Sequence, residues 1–219
     1  MGLSASEENY IKAIFKLSER QEGNVSTNAL AEFFDIKPAS VTDMVQRLAD
    51  KKHVSYKKYK GVQLTASGKT IAKQLIRKHR LWEVFLVEKL NFSWDEVHVV
   101  AEQLEHIDSD QLIVRLDEFL TYPKFDPHGD PIPDEKGKIP ARKKVNLLQL
   151  KKGDIAYIVG VEESDDEFLR YLNKVGLQLG SAIEVIDRFD YDDSTIIKVE
   201  GEREITISGK VGQNLWLSA

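Results

Sequence analysis

Cysteine is absent from this 219-residue chain. Disulfides, thiolate metal sites and a cysteine nucleophile are therefore excluded. Methionine is nearly absent too: Met1 opens the chain and Met44 falls on an apolar helical stripe, so neither is a candidate thioether ligand. No apolar run approaches the ~18–20 residues of a membrane-spanning helix. The opening MGLSASEENY lacks a secretory-signal pattern, and a cytoplasmic protein is expected. Histidine is scarce, at five residues, so its placement is informative. Charge is abundant but uneven around a net −5: residues 51–80 hold ten Lys or Arg and no Asp or Glu, whereas residues 81–137 hold fourteen acids against four bases. A basic block followed by an acidic one implies a polyanion-binding part joined to a cation-binding part. The length suits one large or two modest domains with a real core.

Three of the five histidines fall in two stripes. In HVVAEQLEH, His98, Glu102 and His106 recur every four residues, and Glu105 is three from Glu102. On a helix these side chains share one face, while Val99, Val100, Ala101 and Leu104 supply an apolar side. His79 and Glu83, again four apart, form the second stripe on the preceding helix. One stripe alone could be a solvated charged face. Two together make a divalent-metal constellation whose nitrogen and oxygen donors suit manganese, ferrous iron or zinc.

Ser4 and Glu7 form a capping box for a first helix over about 5–20. Ser26 caps a short second helix to Phe34, with Ala29, Leu30 and Phe33 inward. Pro38 suits the first turn of a third helix running to about Lys51, with Val41, Met44, Val45 and Leu48 buried. Two short helices around a tight turn describe a helix-turn-helix. Ala39, Ser40, Thr42, Asp43 and Gln46 face away from the buried stripe, as a helix reading base edges requires; Lys37 and Arg47 complete that surface. Residues 54–65 read as two strands around Lys60-Gly61, a basic wing. Lys57, Lys58 and Lys60, with Tyr56 and Tyr59, are expected along phosphates. An ordinary helical hairpin and a merely solvated strand edge are the alternatives, and their occurrence together argues against both.

A long helix follows to about Lys89, then the HVVAEQLEH helix opened by Ser93 with Asp95 and Glu96 in its first turn. A third helix runs from Ser109 to Leu120 with Leu112, Leu116 and Phe119 inward. Trp82, Phe85, Val97 and Leu112 are candidates for either a subunit contact or monomer core. Residues 122–144 are proline-rich and expected to be a linker. His128 lies there, its neighbours explained by a proline-rich turn, and is not counted as a ligand. Residues 145–219 alternate with period two in five short strands, interrupted by one short helix, which predicts a small SH3-like β-barrel. The expected architecture is mainly α with a C-terminal β-barrel: residues 1–72 a winged helix-turn-helix, 73–121 a helical metal-binding and dimerisation domain, 122–144 a linker and 145–219 the barrel.

The motifs ENYIKAIFKL, KPASVTDMVQRL, YKKYKGVQLTASGK, RKHRLWE, HVVAEQLEH and DPHGDPIP, in that order, resemble the metal-dependent repressors of the diphtheria toxin repressor family, which includes the manganese transport regulators. The C-terminal segment is similar to that family's SH3-like domain, also found in ferrous-iron transport accessory proteins. The resemblance implies a primary metal site at Asn9, Glu102, Glu105 and His106. It implies an ancillary site at His79, Glu83 and His98, completed by Glu163 and Glu167 from the C-terminal domain. Asn9 stands where the iron branch has Met and the manganese branch Asp, and Lys12 where short manganese regulators have Glu. The implied function is a homodimeric repressor that binds a pseudo-palindromic operator in double-stranded DNA when loaded with Mn2+ or Fe2+. Manganese is expected to activate best, with zinc binding but not fully activating. The alternatives are a metallohydrolase, against which stands the lack of a spare general base, and a winged-helix regulator that takes no metal.

Overall fold

The computed structural model describes residues 2–20, 23–57, 60–93, 96–141, 144–162 and 166–218. Lys58, Tyr59, Asp95 and Glu163 lie outside them. The chain forms two compact units: Met1–His79 with Gln103–Ser109 and Pro133–Lys138, and Arg80–Glu102 with Asp110–Ile132 and Ile139–Ala219.

In the first unit, the Ser4 backbone N–H donates to Glu7 Oε2 at 2.8 Å and the Glu7 N–H to Ser4 Oγ at 3.3 Å. This is the capping box expected at the head of α1 (Ala5–Arg20). Ile11 and Ile14 are wholly buried, each burial contributing about 2 kcal/mol. Ser26 caps α2 (Thr27–Phe33) by accepting from the Ala29 N–H. Phe33, expected inward, is exposed, and Phe34 packs instead, its ring stacked 4.5 Å from Tyr10. Phe34 falls four residues after the buried Leu30, on the same helical face. Pro38 opens α3 (Pro38–Asp50), which buries Val41, Val45 and Leu48. Strands β1 (Val54–Lys57) and β2 (Gly61–Leu64) make the antiparallel wing. From it rises α4 (Ala66–Leu90), 25 residues long.

Helix α5 (Val97–Leu104) is shorter than its sequence pattern, and Glu105 and His106 occupy the turn beyond it. That turn carries the chain towards α6 (Asp110–Phe119). The apolar face of α6 is offset from the expected one: Ile113, Leu116 and Leu120 are buried, while Leu112 and Phe119 are exposed. Trp82 and Val97 are core.

In the second unit, β3 (Val145–Asn146), β4 (Ile155–Val161), β5 (Ala182–Arg188), β6 (Thr195–Val199), β7 (Arg203–Ile207) and β8 (Leu215–Ser218) form one sheet. Its order is β3–β8–β4–β5–β6–β7, and every neighbouring pair is antiparallel. The five expected strands are present with one two-residue addition, but the sheet is open rather than a closed barrel. Helices α7 (Asp166–Lys174) and α8 (Gly209–Gln213) accompany it, and Leu169, Leu172 and Leu177 join its core.

The proline-rich stretch is not a free linker. Asp126, His128 and Ile132 within it are buried. Its backbone closes on itself through Gly129 N–H to Asp126 O and Asp126 N–H to Asp130 O, both 3.0 Å. Among the described residues, no helix is long and apolar enough to cross a membrane.

Candidate functional site

The first unit presents the surface expected to read DNA. Lys37, Ala39, Ser40, Asp43, Gln46 and Arg47 are exposed along α3, and Thr42 is half-buried with its hydroxyl donating to Pro38 O at 3.0 Å. Gln46 donates to Asp50 Oδ1 at 3.2 Å, a solvent-facing bond that is readily exchanged. Lys57 and Lys60 are exposed at the tip of the wing. The wing is braced from one side: Val25 and Val62 exchange backbone hydrogen bonds of 3.0 and 2.8 Å, and Asn24 Nδ2 donates to Lys60 O at 2.6 Å.

In the second unit, the metal-capable residues converge on Glu83 of α4. Glu83, Asp126 and His128 each offer a ligand atom within 4.8 Å of the others, and all three are buried. His98 Nδ1 is 3.3 Å and His128 Nδ1 3.8 Å from the same oxygen, Glu83 Oε1. His79 stands one turn before Glu83 on α4. Burial pushes the Asp126 carboxyl up to about 7, and the charges of Glu83 and Asp130 add to the rise against the opposing Arg80 and His128. Two buried carboxylates with imidazoles beside them suit a divalent cation, whose charge offsets what burial opposes.

Neighbouring groups hold this loop in place. Asp126 Oδ1 accepts the backbone N–H groups of His128 at 2.8 Å and Asp130 at 3.0 Å. Arg80 donates to Pro131 O at 2.6 Å and pairs with Asp130 at 2.9 Å and Asp126 at 3.4 Å. The Val161 N–H of β4 donates to His128 O at 3.1 Å.

Sequence spacing missed Asp126 and His128. They are about forty residues from Glu83 and two apart from each other, a spacing with no helical or strand signature. The available signal is a histidine between two aspartates in Asp126-Pro-His-Gly-Asp130, beside prolines that by themselves account for a turn. Glu167 is exposed at the start of α7. It lies outside the metal-capable groups found among the described residues.

The first unit arranges the other expected ligands differently. Glu105 is wholly buried. Its Oε1 takes Lys12 Nζ and its Oε2 takes His79 Nδ1, each at 2.5 Å. His106 Nδ1 meets Glu8 Oε2 at 2.5 Å, and its Nε2 is 3.8 Å from Glu105 Oε1. Burial alone would raise the Glu105 carboxyl, but the His79 hydrogen bond and the Lys12 charge hold it below the usual carboxylate range. Asn9 Oδ1 is buried with no hydrogen-bond partner among the described residues. Glu102 belongs to the second unit and is half-buried on α5.

Residues 2–62 match the family model described as iron dependent repressor, N-terminal DNA binding domain. Residues 65–134 match iron dependent repressor, metal binding and dimerisation domain, and residues 145–219 match the FeoA domain. The HTH-type transcriptional regulator MntR of Oceanobacillus iheyensis is 37% identical over 121 residues, covering 55% of this chain and 81% of that protein. The diphtheria toxin repressor of Corynebacterium jeikeium is 31% identical over 164 residues, covering 73% of this chain and 67% of that protein. A solved manganese-dependent transcriptional repressor in complex with manganese matches with a TM-score of 0.81 and 33% identity, over 97% of this chain and 99% of that one.

Proposed function

The chain belongs to the diphtheria toxin repressor family of metal-dependent regulators and is a metal-responsive DNA-binding repressor of manganese or iron homeostasis, in which, we propose, the sensed ion is held by Glu83, Asp126 and His128. It is not an enzyme: its relatives are transcriptional regulators. The observation that carries the site is the burial of two carboxylates and an imidazole around one point, with the Asp126 carboxyl resisting ionisation. A bound divalent ion supplies the positive charge this group lacks. The chain's own residues do the rest. Arg80 and the backbone N–H groups of His128 and Asp130 orient Asp126, and β4 holds His128 through its carbonyl. His98 stands beside Glu83 as a further nitrogen donor, and His79 precedes it by one turn.

Manganese is the preferred ion on this reading, ferrous iron the second, and zinc binds with weaker activation. No thiolate is available to favour zinc or iron, and the two carboxylates of Glu83 and Asp126 supply the hard oxygen donors that suit manganese. The functional form is a homodimer on a pseudo-palindromic operator, because one recognition helix reads too few bases for useful specificity. Such a protein works where the DNA is, in the cytoplasm.

The test starts from DNA fragments selected out of a random pool with Mn2+ present. Their affinity is then measured by fluorescence anisotropy at fixed salt with Mn2+, Fe2+, Zn2+ or chelator. Mn2+ should tighten binding at least tenfold over chelator, and His128→Ala should abolish that gain while leaving the fold intact by circular dichroism. Equal binding with Mn2+ and with chelator would overturn the reading.

A further inference from the structure

Lys12 lies where burial opposes a free ammonium. Its side chain is 8% exposed, and its Nζ lies 2.5 Å from the wholly buried Glu105. The second Glu105 oxygen is taken by His79, and the nearest other imidazole, His106, is engaged by Glu8. All of these residues belong to the first unit. A buried carboxylate requires a counter-charge and satisfied lone pairs, and Glu105 has both from the protein itself.

The family resemblance leads to the expectation of an ion at this carboxylate. The residues present do not fit one. Lys12 and a divalent ion would compete for Oε1, and two cations so close repel strongly in a weakly polarisable interior. Position 9 points the same way. Asn9 gives a neutral oxygen where the manganese branch has Asp, and Lys12 a positive charge where short members have Glu. Together they add more positive charge than one divalent ion brings. The buried Asn9 Oδ1, without a hydrogen-bond partner among the described residues, remains as a single neutral oxygen.

We propose that Lys12 is a built-in cation that takes the place of a divalent ion at Glu105 and docks α1 onto the turn after α5 without metal. The metal-capable residues around Glu83, Asp126 and His128 among them, then carry the response; this second half alone rests on the function proposed above.

The experiment counts Mn2+ bound to metal-stripped full-length protein, with free ion read by electron paramagnetic resonance. Wild type should take up one tight equivalent per chain and His128→Ala none. Lys12→Glu should take up two, the second persisting when combined with His128→Ala. Lys12→Gln removes the charge without adding a carboxylate and guards against misfolding of the first variant; it should gain a weaker second equivalent and melt several degrees below wild type in the absence of metal. A second wild-type equivalent that Glu105→Gln removes would overturn the proposal. So would folded Lys12→Glu and Lys12→Gln proteins that stay at the wild-type count. Wild type binding no Mn2+ would count against the proposed metal group alone, and the gain in Lys12→Glu would still decide the role of Lys12.

Discussion

Gly129 allows the metal-capable loop to reach the sheet. Its φ is +83°, and a Cβ there would lie 1.7 Å from Val159 O. Opposite it, Gly160 follows the irregularity between Ile158 and Gly160 in the β4–β8 pairing. A Cβ at Gly160 would lie 2.6 Å from His128 O. Two glycines thus let the backbone carrying His128 lie against β4, where Val161 bonds it. Gly129→Ala should destabilise the protein by about 3 kcal/mol, left-handed strain and backbone clash together, and weaken Mn2+ uptake with it. Gly153 is the control: its φ is +86° but a Cβ there meets nothing within 4 Å, so Gly153→Ala should cost about 1 kcal/mol. Thermal melts compare them, and equal losses would show that the close approach to Val159 contributes nothing.

Among the elements, the wing is the clearest link from sequence to function. Its register pairs Val54 with Leu64 and Lys57 with Gly61, so the lysines cluster at the tip while Val54 and Val62 anchor it in the core. Bracing by Asn24 and Val25 fixes where that tip points. A rigid basic tip suits phosphate contacts, which add affinity but no sequence preference. Replacing Lys57 and Lys60 with Ala should weaken binding to every DNA sequence alike and reduce the salt slope of log K by about 2 per subunit, about 4 for the dimer, one counterion per lost contact. An unchanged slope would remove the wing from the interface. Helix α5 is the contrasting case. Its i, i+4 pattern predicts a helix through His106, yet it ends at Leu104. Ion pairs with Lys12, His79 and Glu8 engage Glu105 and His106 in the turn beyond, and no local spacing encodes them.

At the scale of the whole molecule, the exposed apolar side of α6 is what a second copy would cover in the homodimer proposed above. Leu112 and Phe119, seven apart on that helix, share it, Phe119 exposed by 61%. Placing a charge in an apolar interface costs about 2 kcal/mol. A symmetric dimer carries two such charges, so Phe119→Glu should raise the dimer dissociation constant roughly 1,000-fold in sedimentation experiments without lowering the monomer's melting temperature. A dimer that survives unchanged would place the interface elsewhere. The amino-acid sequence by itself determined the helix-turn-helix, the wing, the long α4, the strands of the C-terminal sheet and the His79–Glu83 and His98 stripes. Each rests on short-range physics: periodicity, caps, a proline at a helix start, alternation along a strand. Tertiary structure decided the rest. It opened the sheet instead of closing it, turned the apolar face of α6, and gave Glu105 to Lys12. It also made a buried, metal-capable loop of a stretch that reads as a linker, because the Asp126 and His128 side chains acquire their chemistry from Glu83, distant in sequence, and from the burial that the fold imposes on all three.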